Sequence, residues 1–163
     1  LNDLFGPQPI KALSLWQPWA SLMAAGVTRH ETRHWSTTYR GALAIHSAKT
    51  LDVAGAPEDL CRAALGRDWR LSVPRGAIVA VGELTACRDA CRVRSCLTSA
   101  DLEAGNFNPG RFAWRVDNLR ALKTPIAAVG RQGLWNWTPP ADLEVLLTPH
   151  FDHAEAARLI GWA

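Results

Sequence analysis

The chain is poor in four things. It has one tyrosine and one methionine. It has no apolar run near the roughly 20 residues a membrane-spanning helix needs. It has no strong excess of either charge: 18 Lys and Arg against 15 Asp and Glu give a net charge of +3. That balance argues against a highly charged disordered chain and is compatible with a nucleic-acid partner. No basic-then-apolar segment opens the sequence, so no secretory signal is expected. The expected compartment is the cytoplasm, with no membrane partner. Four cysteines are present, and Cys87, Cys91 and Cys96 form a C-x3-C-x4-C series. Zinc sites more often pair cysteines in short repeated knuckles. Reduced thiols are therefore expected, and no metal ligand is assigned.

What is present points to one globular domain. The length of 163 residues, with 48% hydrophobic and 20% charged, suffices for a real core. Eight tryptophans accompany the single tyrosine. Tryptophan buries a large flat surface and needs a partner for its N–H. Several should be core; others are candidate platforms for stacking a base.

The punctuation divides the chain into a loose arm (1–10), a domain (11–138) and an extension (139–163) ending in a helix over 152–162 that packs on the same domain. Residues 12–16 read as a buried strand. Pro18 and Gly26 bracket a helix over 18–25. From Val27 to Trp35 the period becomes two: Arg29, Glu31 and Arg33 share one face, while Thr28, His30 and Thr32 share the other. Residues 39–41 read as a turn and 42–47 as a strand. A helix over 57–65 follows, then strands over 77–84 and 111–116, with short strands over 126–129 and 134–137. Thr98 and Asp101 form a capping box that opens a short helix. Short strands with few helices suggest a small barrel with helical insertions, an α+β fold.

Several pieces occur in an order that resembles the ASCH domain family, a PUA-like group. The family pattern G-x-K-x-x-E-x-R stands here as Gly26, Thr28, Glu31 and Arg33. Leu13 to Ala20, Tyr39-Arg40-Gly41 with Ile45 to Lys49, Phe112-Ala113-Trp114 and Gly130-x-Gln132-Gly133-Leu134-Trp135 extend the likeness over residues 11–137. The resemblance implies a PUA-like small β-barrel with a cleft beside the motif and an RNA or nucleoside ligand. Some members are hydrolases: one branch deacetylates N4-acetylcytidine, and another is ribonuclease-like and would bring in a divalent metal. A coactivator-type protein-interaction role is a weaker alternative. Thr28 stands where the pattern has lysine. The deacetylase branch has its lysine at position 28 and its threonine at position 31, here Glu31, so that triad does not carry over.

The candidate residues follow from their chemistry. Glu31 can accept an exocyclic amine or act as general base; otherwise it is a salt-bridge partner of Arg33 or Arg29. Arg29 and Arg33 suit phosphate. Lys49 is a candidate base or phosphate contact, with Ser47 two residues earlier on the same face as a catalytic partner; the plain alternative is a solvated lysine. Tyr39 lies nearby in sequence. Trp16 can cover a base and Gln17 can read its edge; both can equally be core, as Trp19 is expected to be. Arg131 and Gln132 lie between glycines, where backbone can approach a ligand. His46 reads as a hydrogen-bonded core histidine. The expected function is RNA or nucleobase binding in a charged cleft.

Overall fold

A computed structural model describes residues 7–150 and 152–161. Residues 1–6 of the expected arm lie outside these, as do Trp162 and the side chains of Ala154 and Ala157 in the expected terminal helix. The elements are β1 (Ile10–Gln17), α1 (Trp19–Ala24), β2 (His30–Arg33), β3 (Gly41–Leu51), α2 (Glu58–Leu65) and α3 (Trp69–Ser72). They continue as β4 (Ala77–Asp89), α4 (Ser99–Ala104), β5 (Phe112–Ala127), β6 (Leu134–Trp137), α5 (Leu143–Leu146) and α6 (His153–Leu159). Two 3₁₀ turns, Ala90–Arg92 and Arg94–Cys96, carry two of the cysteines between β4 and α4.

The six strands form one mixed sheet in the order β2-β5-β4-β3-β1-β6. Among the described strands, only β1 and β3 pair in parallel. The mixed α and β content is as expected, but the sheet is not closed into the expected barrel: β2 and β6 are edges, and no ladder joins them among the described residues. β6 also pairs with only part of β1, from Ile10 to Leu13. The rest of β1, Ser14 to Gln17, runs on without it.

One face of the sheet carries the main core: Leu13, Leu15, Leu43, Ile45, Val79 and Trp114, capped by Met23 of α1. Trp114 is fully buried and meets Trp35 edge-on, with centroids 4.5 Å apart. Its Nε1–H donates to the Trp35 carbonyl at 3.2 Å, so the buried indole is satisfied. A second cluster, built on Leu60, Trp69, Ala100 and Ala156, joins α2, α3, α4 and α6 to Leu22 of α1. These helices thereby hold the connections around β2 in place.

The strands over 12–16, 42–47, 77–84 and 111–116 are longer than their apolar runs. β4 continues to Asp89 and β5 to Ala127. Past Leu84 and Leu122 their residues are exposed or half-buried, and three register shifts interrupt the pairing. The expected strand over 126–129 is the end of β5. The expected strand from Val27 to Trp35 shrinks to four residues; Asp101 of α4 takes the Arg29 and His30 N–H groups at its start, and Arg111 takes the Thr32 carbonyl within it.

His46 is locked beneath the loop before β6. Its Nε2 lies 3.0 Å from the Ala128 carbonyl and its Nδ1 3.1 Å from Ser14 Oγ. Trp135 Nε1–H donates to the same hydroxyl at 3.2 Å. Burial pushes the imidazole below the ordinary histidine range, and the Ala128 carbonyl only partly offsets that. The ring nitrogen Nε2 donates to the carbonyl, and Nδ1 faces the Ser14 hydroxyl, whose single hydrogen is shared between that nitrogen and the Arg131 carbonyl at 3.1 Å. Gly130 passes directly over the ring. A Cβ there would run into His46 Cε1 and stand 2.9 Å from Ser14 Oγ. Gly130→Ala is therefore expected to cost about 1–3 kcal/mol by overpacking. A thermal melt would show this as a drop of several degrees; an unchanged midpoint would contradict the packing.

Candidate nucleic-acid cleft

A cleft of about 320 Å³ opens at the β2 edge of the sheet. One wall is the part of β1 beyond the reach of β6, with Ser14, Leu15 and Trp16, together with Trp19 and Met23 of α1. The opposite wall is Thr28 and β2 itself, from His30 to Arg33. The end of α4 and its following loop, with Asn106 and Arg111, close the third side. Trp19 ties the first wall to the third by donating its Nε1–H to the Ala104 carbonyl at 2.7 Å.

Glu31 and Arg33 point to the core face of β2. Arg33 Nε lies 2.9 Å from Glu31 Oε1, and the side chains keep only 25% and 16% of their exposure. This is an ion contact more than an aligned hydrogen bond, since the Nε hydrogen finds no acceptor among the described residues. Arg33 Nη2 donates to the Ser14 carbonyl at 2.8 Å and so bridges β2 to β1, strands that are not neighbours in the sheet. Burial raises the Glu31 carboxyl above the ordinary carboxylate range; the Arg33 and Arg111 charges pull it back without cancelling the effect. Arg111 reaches in from the loop before β5 and donates Nη2 to the Thr32 carbonyl at 2.9 Å.

The other face of β2 is held by Asp101 of α4. Its Oδ1 accepts the backbone N–H groups of Arg29 and His30 at 3.0 and 3.2 Å. Its Oδ2 lies 3.1 Å from His30 Nδ1 and 3.2 Å from Thr98 Oγ1. The capping box read from Thr98 and Asp101 is present. Burial alone would raise the Asp101 carboxyl. The His30 hydrogen bond and charge and the two backbone donors outweigh burial and hold it below the ordinary aspartate range.

The structure brings Trp16, Thr28, Glu31 and Arg33 together and leaves the other sequence candidates elsewhere. Gln17 is fully buried: its amide donates to Ser21 Oγ and the Pro74 carbonyl, and its Oε1 accepts the Ser21 N–H. Both amide hydrogens are consumed, so it has none to offer a base. Arg29 turns away towards Asp117, 3.8 Å distant. Ser47 is buried and donates to the Ala77 carbonyl. Lys49 is exposed and stands outside the cleft lining. Tyr39 closes the turn into β3 by donating to the Ala42 carbonyl at 2.6 Å. Arg131 and Gln132 are exposed in the loop over His46 and do not line the cleft. The residues that sequence reasoning missed as site members are His30, Asp101, Asn106 and Arg111. The capping box was the one signal for Asp101; nothing local connects it to a histidine 71 positions away.

The cysteines are free thiols, with Cys61 buried and Cys91 and Cys96 exposed. Burial, with the Glu58 charge adding to it, pushes the Cys61 thiol up to about 12. No group of three or more His, Cys, Asp or Glu suited to a metal occurs among the described residues. No helix among them is long and apolar enough to cross a membrane.

Fold and cleft together define a mixed α/β domain with a polar, tryptophan-walled cleft at the edge of an open sheet. The ASCH domain model matches residues 13–126, well over half of the chain, and the chain belongs to the ASCH domain family. The ASCH domain is a general RNA-binding-type domain, and the fold is compatible with its PUA-like class. The search of curated proteins found no match.

The Asp101 network has a definite pH signature. A carboxyl whose native value is depressed stabilises the fold above its ordinary value of 3.8, and that contribution is lost as pH falls through the still lower native value. Asp101→Asn should cost about 1–3 kcal/mol at pH 7 in urea unfolding. The gap from the wild type should narrow as the solution is acidified below about pH 4. A gap that is constant with pH would contradict the assignment.

Proposed function

We propose that this domain binds single-stranded RNA by taking one unstacked nucleotide into the cleft between β1 and β2. The observation that carries this reading is Trp16. It lines the cleft yet leaves 56% of its surface exposed, in a chain whose tryptophans at 69 and 114 are fully buried. A large aromatic left open beside a charged pair is a poor core residue and a good stacking surface. The cleft volume sits at the lower end of the range for small-molecule sites, a size suited to one nucleotide. Unstacked bases of single-stranded RNA are the usual targets of such aromatic platforms.

The polar groups fit the same ligand. Glu31 faces a base edge and accepts an exocyclic amine. Arg33 and Arg111 supply positive charge for the adjoining phosphate. Hydrolysis through Lys49 and Ser47 is the less favoured reading, because neither residue lines the cleft. Thr28 offers a hydroxyl, and no ionisable group, where the family pattern has lysine.

The test is fluorescence anisotropy with a labelled single-stranded RNA of mixed sequence. Binding should weaken as salt rises. Trp16→Ala should weaken it about 10-fold, within the roughly 1–3 kcal/mol of a base–aromatic stack. Absence of binding, or equal affinity for Trp16→Ala, would overturn the reading.

A further inference from the structure

We propose that the 3₁₀ segment between β4 and α4 is a second phosphate-binding surface, in which Arg92 and Arg94 carry the nucleic-acid backbone that flanks the nucleotide in the cleft. This rests on the RNA-binding reading above. Between Ala90 and Leu97 stand two arginines and no carboxylate. Both arginines are exposed. The Arg94 guanidinium has no hydrogen-bond or ion-pair partner among the described residues. Arg92 Nε stands 3.4 Å from Asp89 Oδ2, with the two side chains 79% and 51% exposed. Water screens so open a pair, and the Arg92 charge stays available to a ligand.

The local fold turns these groups outward and sets them beside the cleft. A 3₁₀ helix has three residues per turn, so side chains three apart lie over one another. Ala90 and Val93 are so spaced and face inward. Ala90 is fully buried and joins Phe107 and Ala113 in a small cluster, on which Val93 and Leu97 pack. Arg92 and Arg94 fall on the remaining sides and stay in solvent. The Ala90 N–H donates to the Arg111 carbonyl at 2.9 Å, and Arg111 closes the third side of the cleft. Sheet register gives the same placement. Arg33, Phe112 and Asp89 form one cross-strand row through β2, β5 and β4, on a common face. With strands about 4.8 Å apart, Asp89, which holds Arg92, lies about 10 Å along that row from Arg33. Arg88 belongs to the next row, with Ala113 and Thr32, and points to the opposite face.

A single strand of nucleic acid fits this arrangement. Proteins that hold one combine an aromatic platform for a base with cations that follow the backbone. The cleft has the platform in Trp16, and Arg33 and Arg111 serve the adjoining phosphate. The row from Arg33 to Arg92 carries positive charge on across the end of β5, to phosphates that the cleft does not reach. Exposed guanidinium groups without a fixed partner contact phosphate and read no base, so this surface is indifferent to sequence.

The experiment measures, by calorimetry at low salt, the affinity of the full chain for an RNA trinucleotide. The same trinucleotide extended by four abasic phosphate residues, at its 5′ end or at its 3′ end, is run beside it. Abasic residues add charge and no base. Expected is a gain of about 10-fold from one extension and little from the other, because the surface lies to one side of the cleft. In the Arg92→Ala, Arg94→Ala double variant that gain should vanish, while the bare trinucleotide binds as it does to the wild type. The slope of log affinity against log salt for the extended ligand should become shallower by about 1.4, at roughly 0.7 per phosphate of a single strand. Arg88→Ala removes a charge from the opposite face and should keep the gain. No gain from either extension, an equal gain from both, or a gain that survives the double variant would overturn the inference and leave the cleft reading standing. Binding of an acidic peptide to the two arginines, with no gain from either extension, would assign the surface to a protein and overturn it too. A trinucleotide that fails to bind would remove the cleft reading and this inference with it. The two extensions are compared on the unaltered protein, so they decide the question even if a variant fails to fold.

Discussion

Arg33 joins the two sides of the sheet that no backbone ladder joins. The sheet is open, yet the guanidinium of β2 reaches the Ser14 carbonyl of β1, four places away in strand order. The reach is possible because twisted sheets of this size curl, and because β6 leaves β1 at Leu13. A buried guanidinium needs a counter-charge, and Glu31 provides it. The acid and the arginine two residues apart thus have a structural duty before any functional one. That duty also creates the cleft. With the two walls bridged by one side chain and not zipped by a ladder, a gap remains between them.

The rest of the site depends on a second tie, on the opposite face of the same short strand. Asp101 gathers two backbone N–H groups, the His30 ring and its own helix cap. β2 has four residues and one neighbouring strand, too little to hold a precise edge by itself. Arg33 from one face and Asp101 from the other fix that edge. An edge held in this way spends the His30 N–H and the Thr32 carbonyl on Asp101 and Arg111, and leaves its alternating side chains to line the cleft.

Much of this was legible in the chain. The helix over 57–65, the capping box at Thr98 and the strand over 134–137 followed from turn residues and periodicity, and they stand within a residue of their expected bounds. The charged wall at Glu31 and Arg33 was also visible from the period-two spacing. What failed was long-range. Gln17 looked like a reader of bases, but a side chain at the junction of β1 and α1 is buried by whatever crosses it, here the segment at Pro74. Lys49 and Ser47 looked like a pair, yet β3 carries them out of the cleft. Strand closure into a barrel depends on which edges meet, and no local pattern records that. His30 was read only as the back face of its strand, because the partner that changes its meaning lies in a distant helix.

The central claim is that the gap bridged by Arg33 receives RNA. The direct measurement is a ¹H–¹⁵N spectrum of the side-chain N–H groups during titration with single-stranded RNA. The account predicts that the indole signals of Trp16 and Trp19 and the Nε–H signals of Arg33 and Arg111 move together, while those of Trp69 and Trp137, remote from the lining, stay in place. Movement confined to Trp137 and the β6 side, with the Trp16 and Arg33 signals still, would contradict it.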